Sequence, residues 1–315
     1  MVQWVCSVLY VYEWGRRAMR LLTGFADEAA DGILEQIEVL KRLGWDSIEL
    51  RAVDKTLAHD LPEEAFAKVA DCLDEQGISV ACLGSGIANW GTDLTQPFEQ
   101  TKATVLRTAG RMRRLRTSLV RVMSYKVMQD PDGRLVEDQL LHERFERMNW
   151  ICQTFLDQGI TPVHENCHTF GGMSYEHTLL LLEKVPGLKL VFDTGNPPLT
   201  IDARSPFPYA MQDSLEFYNN VKDHIAHVHI KDSYLDADGH TERYCFPGEG
   251  NGRVEEIVQD LVERGYSGYY SIEPHMEVVF HDDSAKSTGT RRTDNFLEYG
   301  KRFETMLRSI ESGRN

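Results

Sequence analysis

Two hydrophobic rhythms alternate along the chain. Apolar residues at helical spacing form stripes, such as Ile33, Ile37 and Leu40, or Val254, Ile257, Val258 and Leu261. Short β-rich runs separate them. One phrase marks the change four times: LKRLGWDSIEL (40–50), LDEQGISVACL (73–83), FLDQGITPVHE (155–165) and LVERGYSGYYSIE (261–273). In each, an amphipathic helix ends, a glycine supplies a left-handed cap, and a strand begins. The pattern predicts strands over 20–25, 47–51, 78–84, 119–124, 161–166, 189–193, 225–231 and 268–273. Helices are predicted near 28–43, 62–76, 97–116, 137–158, 173–184, 211–223, 253–264 and 293–311, the last with Phe296, Phe303, Met306 and Ile310 on one face. Eight such units predict a closed (β/α)8 barrel, one domain over residues 19–315. An open doubly wound sheet is the alternative, but no GxGxxG or Walker motif follows a strand. Polar or proline-rich stretches at 194–208, 232–252 and 281–292 follow strands six, seven and eight, where a barrel carries its active-face loops. Residues 1–18, MVQWVCSVLYVYEWGRRA, fall outside the pattern. Their arginines follow the apolar run, whereas a secretory signal places its positive charge before it. They read as an upstream or poorly ordered extension.

Composition narrows the function. A net charge of −15 argues against a general nucleic-acid binder, which needs a basic face. The densest basic run, RMRRLR at 111–116, sits at a predicted helix C-terminus, where cations complement the helix dipole. The six cysteines form no CxxC pair, and no window is long and apolar enough to span a bilayer. The expectation is a reduced, cytoplasmic protein without a membrane partner.

Candidate chemistry collects at the strand ends. Strand five ends TPVHE on Glu165, strand six ends LVFD on Asp193, and strand eight ends YYSIE on Glu273. Strand seven, IAHVHIKD, carries His227, His229 and Lys231 on one face, with His229 nearer the tip. In a barrel these tips converge on one rim. Three carboxylates and an imidazole there are costly without a cation and suit Mn²⁺, Mg²⁺ or Co²⁺ better than a structural zinc. His227 lies one pleat deeper and reads as barrel interior. His164 points away from Glu165, toward the helices, and reads as structural.

The ordered set H-E-N (164–166), F-D-T-G-N (192–196), H-V-H-I-K-D (227–232), P-G-E-G (247–250) and S-I-E-P-H (271–275) resembles the xylose isomerase-like TIM barrel superfamily, over roughly residues 19–312. That group holds sugar isomerases and epimerases, inosose dehydratases and isomerases, and apurinic endonucleases. The resemblance implies that Glu165, Asp193, His229 and Glu273 hold one divalent metal ion (Mn, Co, Mg or Zn). It also implies that Glu165 and Glu273 exchange protons with a substrate carbon. A metal-dependent isomerase or epimerase of a sugar, keto-sugar or cyclitol is the leading expectation. The alternative is a lyase or dehydratase acting on a keto-sugar or 3-keto-glycoside with the same metal and base. Two departures bear on this choice. Asn196 stands where the epimerases carry a substrate-holding His, and Leu235 where they carry an Arg. An endonuclease reading lacks the extra histidines for three zinc ions, although Asp238 and His240 echo its Asp-x-His. A non-catalytic binding barrel is disfavoured by the intact ligand set. By resemblance, the chain forms a homodimer or homotetramer.

Softer candidates surround the quartet. Lys231 is either a substrate contact or a loop lysine. His168 and Asn196 are candidate substrate contacts, His168 equally a surface residue. Glu49 and Arg51 share a face of strand two and form either a sugar-binding pair or a structural ion pair. Trp90, in SGIANWGTD, either stacks on a sugar ring or packs its own loop. Glu249 is either an indirect support of the metal or a loop cap.

Overall fold

Every glycine in the recurrent phrase ends its helix as expected. Gly44, Gly77, Gly159 and Gly265 have φ of 77°, 69°, 73° and 74°, a region that favours glycine. The structure, a computed structural model, describes residues 21–276, 278–279, 282–286 and 290–313. The extension proposed for residues 1–18 lies outside them, as does part of the loop expected at 281–292.

Eight parallel strands follow one another: β1 (Leu22–Gly24), β2 (Ser47–Leu50), β3 (Ser79–Leu83), β4 (Leu119–Val122), β5 (Thr161–Glu165), β6 (Lys189–Asp193), β7 (Ile225–Ile230) and β8 (Tyr270–Ile272). Each pairs with its neighbours in the chain, and β8 also pairs with β1. Among the described residues, the seam between β1 and β2 is the exception, without a ladder. There Ser47 Oγ donates to the Leu22 carbonyl at 2.9 Å. Eight helices alternate with the strands: α1 (Ile33–Leu43), α2 (Glu63–Gln76), α3 (Phe98–Leu115), α4 (Leu141–Leu156), α5 (Tyr175–Lys184), α6 (Ser214–Val221), α7 (Val254–Glu263) and α8 (Thr290–Ser312). This is the expected (β/α)8 barrel.

The helix stripes bury against the outside of the sheet. Val254, Ile257, Val258 and Leu261 of α7 and Phe296 and Phe303 of α8 are all buried in one cluster, with Met306 and Ile310 packed at its edge. Inside the barrel a second, small apolar cluster joins Cys82, Val163 and Val191, with Leu119 and Ala226 against it. Two residues further along three of these strands the interior turns polar, at Arg121, Glu165 and Asp193. The basic run at the end of α3 is structural. Arg111 is buried and donates to the Ala58 and Leu61 carbonyls, and Arg114 pairs with Asp71 and Asp74 of α2. Among the described residues, no helix is long and apolar enough to cross a membrane.

Candidate active site

Sheet register brings the four expected ligands together. Asp193 of β6 and Ser271 of β8 lie level with His229 of β7. Glu165 ends β5 and Glu273 directly follows β8, on the two sides of this pair. Donor atoms of Glu165, Asp193, His229 and Glu273 lie within 4.8 Å of one another, and all four residues are buried. His229 Nδ1 faces the three carboxylates, at 4.0 Å from Glu165 Oε1, 3.9 Å from Asp193 Oδ2 and 3.7 Å from Glu273 Oε2.

Glu49 fixes that orientation from below. One oxygen meets His227 Nε2 at 2.7 Å and the other meets His229 Nε2 at 3.2 Å. Burial alone would raise Glu49, but the two imidazoles outweigh it and hold the carboxyl well below its usual range. Engaging Nε2 leaves Nδ1 pointing into the carboxylates, the support a metal-ligating histidine commonly has. Nδ1 of His229 and Oδ2 of Asp193 are both buried without a hydrogen-bond partner. Burial lifts Asp193 to about 7, with Glu273 and Glu165 adding to it and Lys231 opposing. His229 reaches about 9, since Glu49, Glu165 and Glu273 overcome the burial that lowers it. A proton on Nδ1 therefore sits where a cation would relieve the same crowding. Three oxygens and one imidazole nitrogen, two of these four atoms buried without a hydrogen-bond partner, fit a divalent metal ion.

Surrounding cations and amides set the carboxylates. Arg121 of β4 donates from Nη1 to Glu165 Oε2 at 2.9 Å, and Asn196 donates from Nδ2 to Glu165 Oε1 at 2.9 Å. Arg51, just past β2, donates from Nη1 to Glu273 Oε1 at 2.7 Å. Its other nitrogens bond Asp27 at 2.9 and 3.0 Å and Glu28 at 3.0 Å. Both guanidinium groups pack on Phe25, at 4.2 Å for Arg51 and 5.2 Å for Arg121, and the same ring meets His229 edge-on. Backbone N–H groups of Gly195 and Asn196 donate to Asp193 Oδ1 at 2.8 and 2.9 Å. Asn166 locks the tip of β6 by accepting from the Asp193 N–H at 2.7 Å. His275 bonds Glu28 through both its backbone N–H and its ring.

A cavity of about 400 Å³ opens over this floor. Its lining includes Arg51, Arg121, Lys231, Asn196, His168 and Trp90. Lys231 is thus a buried member of the site, not a loop lysine: Nζ lies 2.8 Å from Asp193 Oδ2 and 3.3 Å from Glu273 Oε2. His168 and Trp90 line the cavity wall, both exposed. His227 is interior and His164 faces outward onto Ser124 Oγ at 2.9 Å, both as read from the strand alternation.

Three expectations are corrected. Glu49 does not face the cavity and does not pair with Arg51; a register shift between Ile48 and Glu49 accompanies its turn toward His227 and His229. Glu249 does not support the metal. The carboxylate of Asp232 gathers the N–H groups of Gly248, Gly250 and Gly252, so the loop wraps Asp232 and throws Glu249 outward onto Arg302 at 2.8 Å. The Asp238–His240 echo is a hairpin tip, where Asp238 Oδ1 accepts the His240 and Thr241 N–H groups in the exposed turn. Arg121, Asp27, Glu28 and His275 were missed. Arg121 left a signal: a charge at an inward position of the apolar run LVRV.

A curated relative, the fructoselysine 3-epimerase of Escherichia coli O157:H7, is 32% identical over 141 residues. That match spans 45% of this chain and 45% of the relative, about half its length. Among solved structures, a D-tagatose 3-epimerase-like protein superposes with a TM-score of 0.68 at 16% identity, covering 94% of this chain and 100% of that one. The probable 3-DHS dehydratase AsbF of Bacillus anthracis, involved in petrobactin synthesis, gives 0.64 at 18% identity, covering 91% of this chain and 99% of that one. These likenesses show a shared fold. The family profile described as xylose isomerase-like TIM barrel matches residues 37–295, and the chain belongs to that family.

Proposed function

We propose that the protein is a divalent-metal-dependent isomerase or epimerase of a sugar, keto-sugar or cyclitol, moving a proton at a carbon beside a carbonyl. The observation that carries this reading is the pair of buried glutamates, Glu165 and Glu273, flanking the orphaned His229 Nδ1 at 4.0 and 3.7 Å. Glu165, Asp193, His229 and Glu273 would hold the metal. When bound, the cation would lend positive charge to a ketone oxygen and its neighbouring hydroxyl, acidifying the C–H between them.

The chain's own side chains determine the rest. Burial works against an ionised Glu165, yet Arg121 foremost, aided by His229 and Lys231, keeps it below its usual value. Burial is likewise outweighed at Glu273 by Lys231, His275, His229 and Arg51, which hold it well below the carboxylate range. Both glutamates therefore start as bases, and each can return a proton once it holds one. Arg121 and Arg51 fix one oxygen of each, so their separation is set by rigid strand tips. That arrangement suits proton removal on one side of a carbon and return on the other.

The second reading is a lyase. It is favoured by Asn196, which is engaged with Glu165 and Asp193, and by Leu235, which lies in the hairpin Asp232–Leu235 with Glu242–Cys245. Incubation with Mn²⁺ and a panel of keto-sugars and inososes in D₂O, followed by NMR, tests both. Deuterium at the carbon beside the carbonyl, with a stereoisomer or positional isomer as product, is expected. An unsaturated or cleaved product selects the lyase. Absence of exchange across the panel contradicts both.

A further inference from the structure

Lys231 reaches the site along a path the chain keeps open. A Cβ on Gly195 would lie 2.7 Å from Lys231 Cγ, so a side chain there would press on the lysine stem. Thr194 clamps the lysine backbone on both sides, donating from Oγ1 to the Lys231 carbonyl at 2.6 Å and accepting its N–H at 3.1 Å. The side chain is 3% exposed for the whole residue, and its ammonium ends among carboxylates. The two oxygens it meets, Asp193 Oδ2 and Glu273 Oε2, are two of the three that face His229 Nδ1. Asp193 Oδ2 receives no aligned hydrogen bond even so. A tethered monovalent cation thus occupies two of the three oxygens that a divalent ion would need.

We infer that Lys231 is a built-in counter-cation that competes with the divalent metal for Asp193 and Glu273, stabilising the metal-free site and weakening its affinity for metal. This rests on the metal reading above. Two like charges sharing the same oxygens repel strongly in a buried site. Metal binding therefore drives the ammonium off these oxygens. The cavity that Lys231 already lines is the space left to it, and there its N–H groups face substrate oxygens. Lys231 is a positioning residue in the first state and a substrate contact in the second.

The test is Mn²⁺ affinity by calorimetry on chelator-treated full-length protein, with the Tm of the metal-free form measured alongside. Wild type is compared with Lys231→Met, Lys231→Gln and Lys231→Arg. The two neutral variants are expected to bind Mn²⁺ at least tenfold more tightly while their metal-free Tm falls. The Arg variant keeps the charge and stays within about threefold of wild type. A neutral variant that folds only with Mn²⁺ present also supports the inference. Unchanged or weaker binding by natively folded Met and Gln variants overturns it, with the metal reading intact. A wild type and neutral variants that all bind no Mn²⁺ overturn the metal reading itself.

Discussion

The two halves of the barrel play different parts in one site. Strands β5 to β8 deliver the quartet Glu165, Asp193, His229 and Glu273 at their tips. The β1 to β4 half delivers what holds that quartet in place: Arg51 and Arg121 stacked on Phe25, with Glu49 beneath His229. The difference is instructive. Ligand atoms must sit at a strand tip and point inward, so they appear in sequence as a ligand type at one fixed place in each unit. Supporting groups need only reach a ligand, and they come from a strand interior, a strand end or a loop. The half that carries the quartet is therefore written in a regular grammar and the supporting half is not.

This contrast can be broken from either side, and the largest effect is expected in the ligand half. Glu165→Gln, which keeps shape and removes the base, should cut deuterium exchange into substrate by about 10²–10⁴-fold with the fold intact by circular dichroism. The supporting half should answer in stability first. Arg51→Met strands Asp27, Glu28 and Glu273 as buried carboxylates and should cost roughly 3–5 kcal/mol in urea unfolding. Arg121→Met uncovers chiefly Glu165 and should cost less. Glu49→Gln sharpens the comparison, because Glu49 meets His229 at its far nitrogen, away from the carboxylates, and otherwise holds His227. It should weaken Mn²⁺ binding by about 10–100-fold in a calorimetric titration.

A smaller effect separates the scaffold from the site. His59, beyond β2, is held down to about 4, chiefly by burial and further by Arg107, Arg111 and Arg121, with Asp60 opposing. The unfolded imidazole takes its proton near pH 6.5, so folding favours the neutral form. Its contribution is complete above pH 6.5 and is lost as pH falls toward 4. The Tm of wild type should therefore drop more steeply over this window than that of His59→Gln. The smallest effect is expected at Glu249→Ala: its solvent-screened pair with Arg302 adds little stability, so urea unfolding should barely change and Mn²⁺ affinity should not move.

The barrel was legible because its evidence is periodic. All eight strands and all eight helices formed where stripes and helix-ending glycines placed them, with ends shifted by a few residues. The ligand tips were legible for the same reason. Contacts that join distant parts of the chain were not. Arg51 and Glu273 are 222 residues apart and His227 and Glu49 are 178 apart, and no local pattern marks either pair. The P-G-E-G loop misled in the opposite way. Its acidic residue looked functional, whereas the glycines and Asp232 carry the constraint: a Cβ on Gly250 would meet Asp232 Oδ1 at 2.4 Å. Lys231 was visible as sharing the face of His229, but only the packing against Gly195 and Thr194 shows that it enters the site.

The most direct test of the central claim is metal stoichiometry by mass spectrometry, after loading with Mn²⁺ and gel filtration, for wild type and Asp193→Asn. The account predicts about one ion per wild-type chain and a large loss in the variant. A wild type that retains no metal, or a variant that retains as much as wild type, would contradict it.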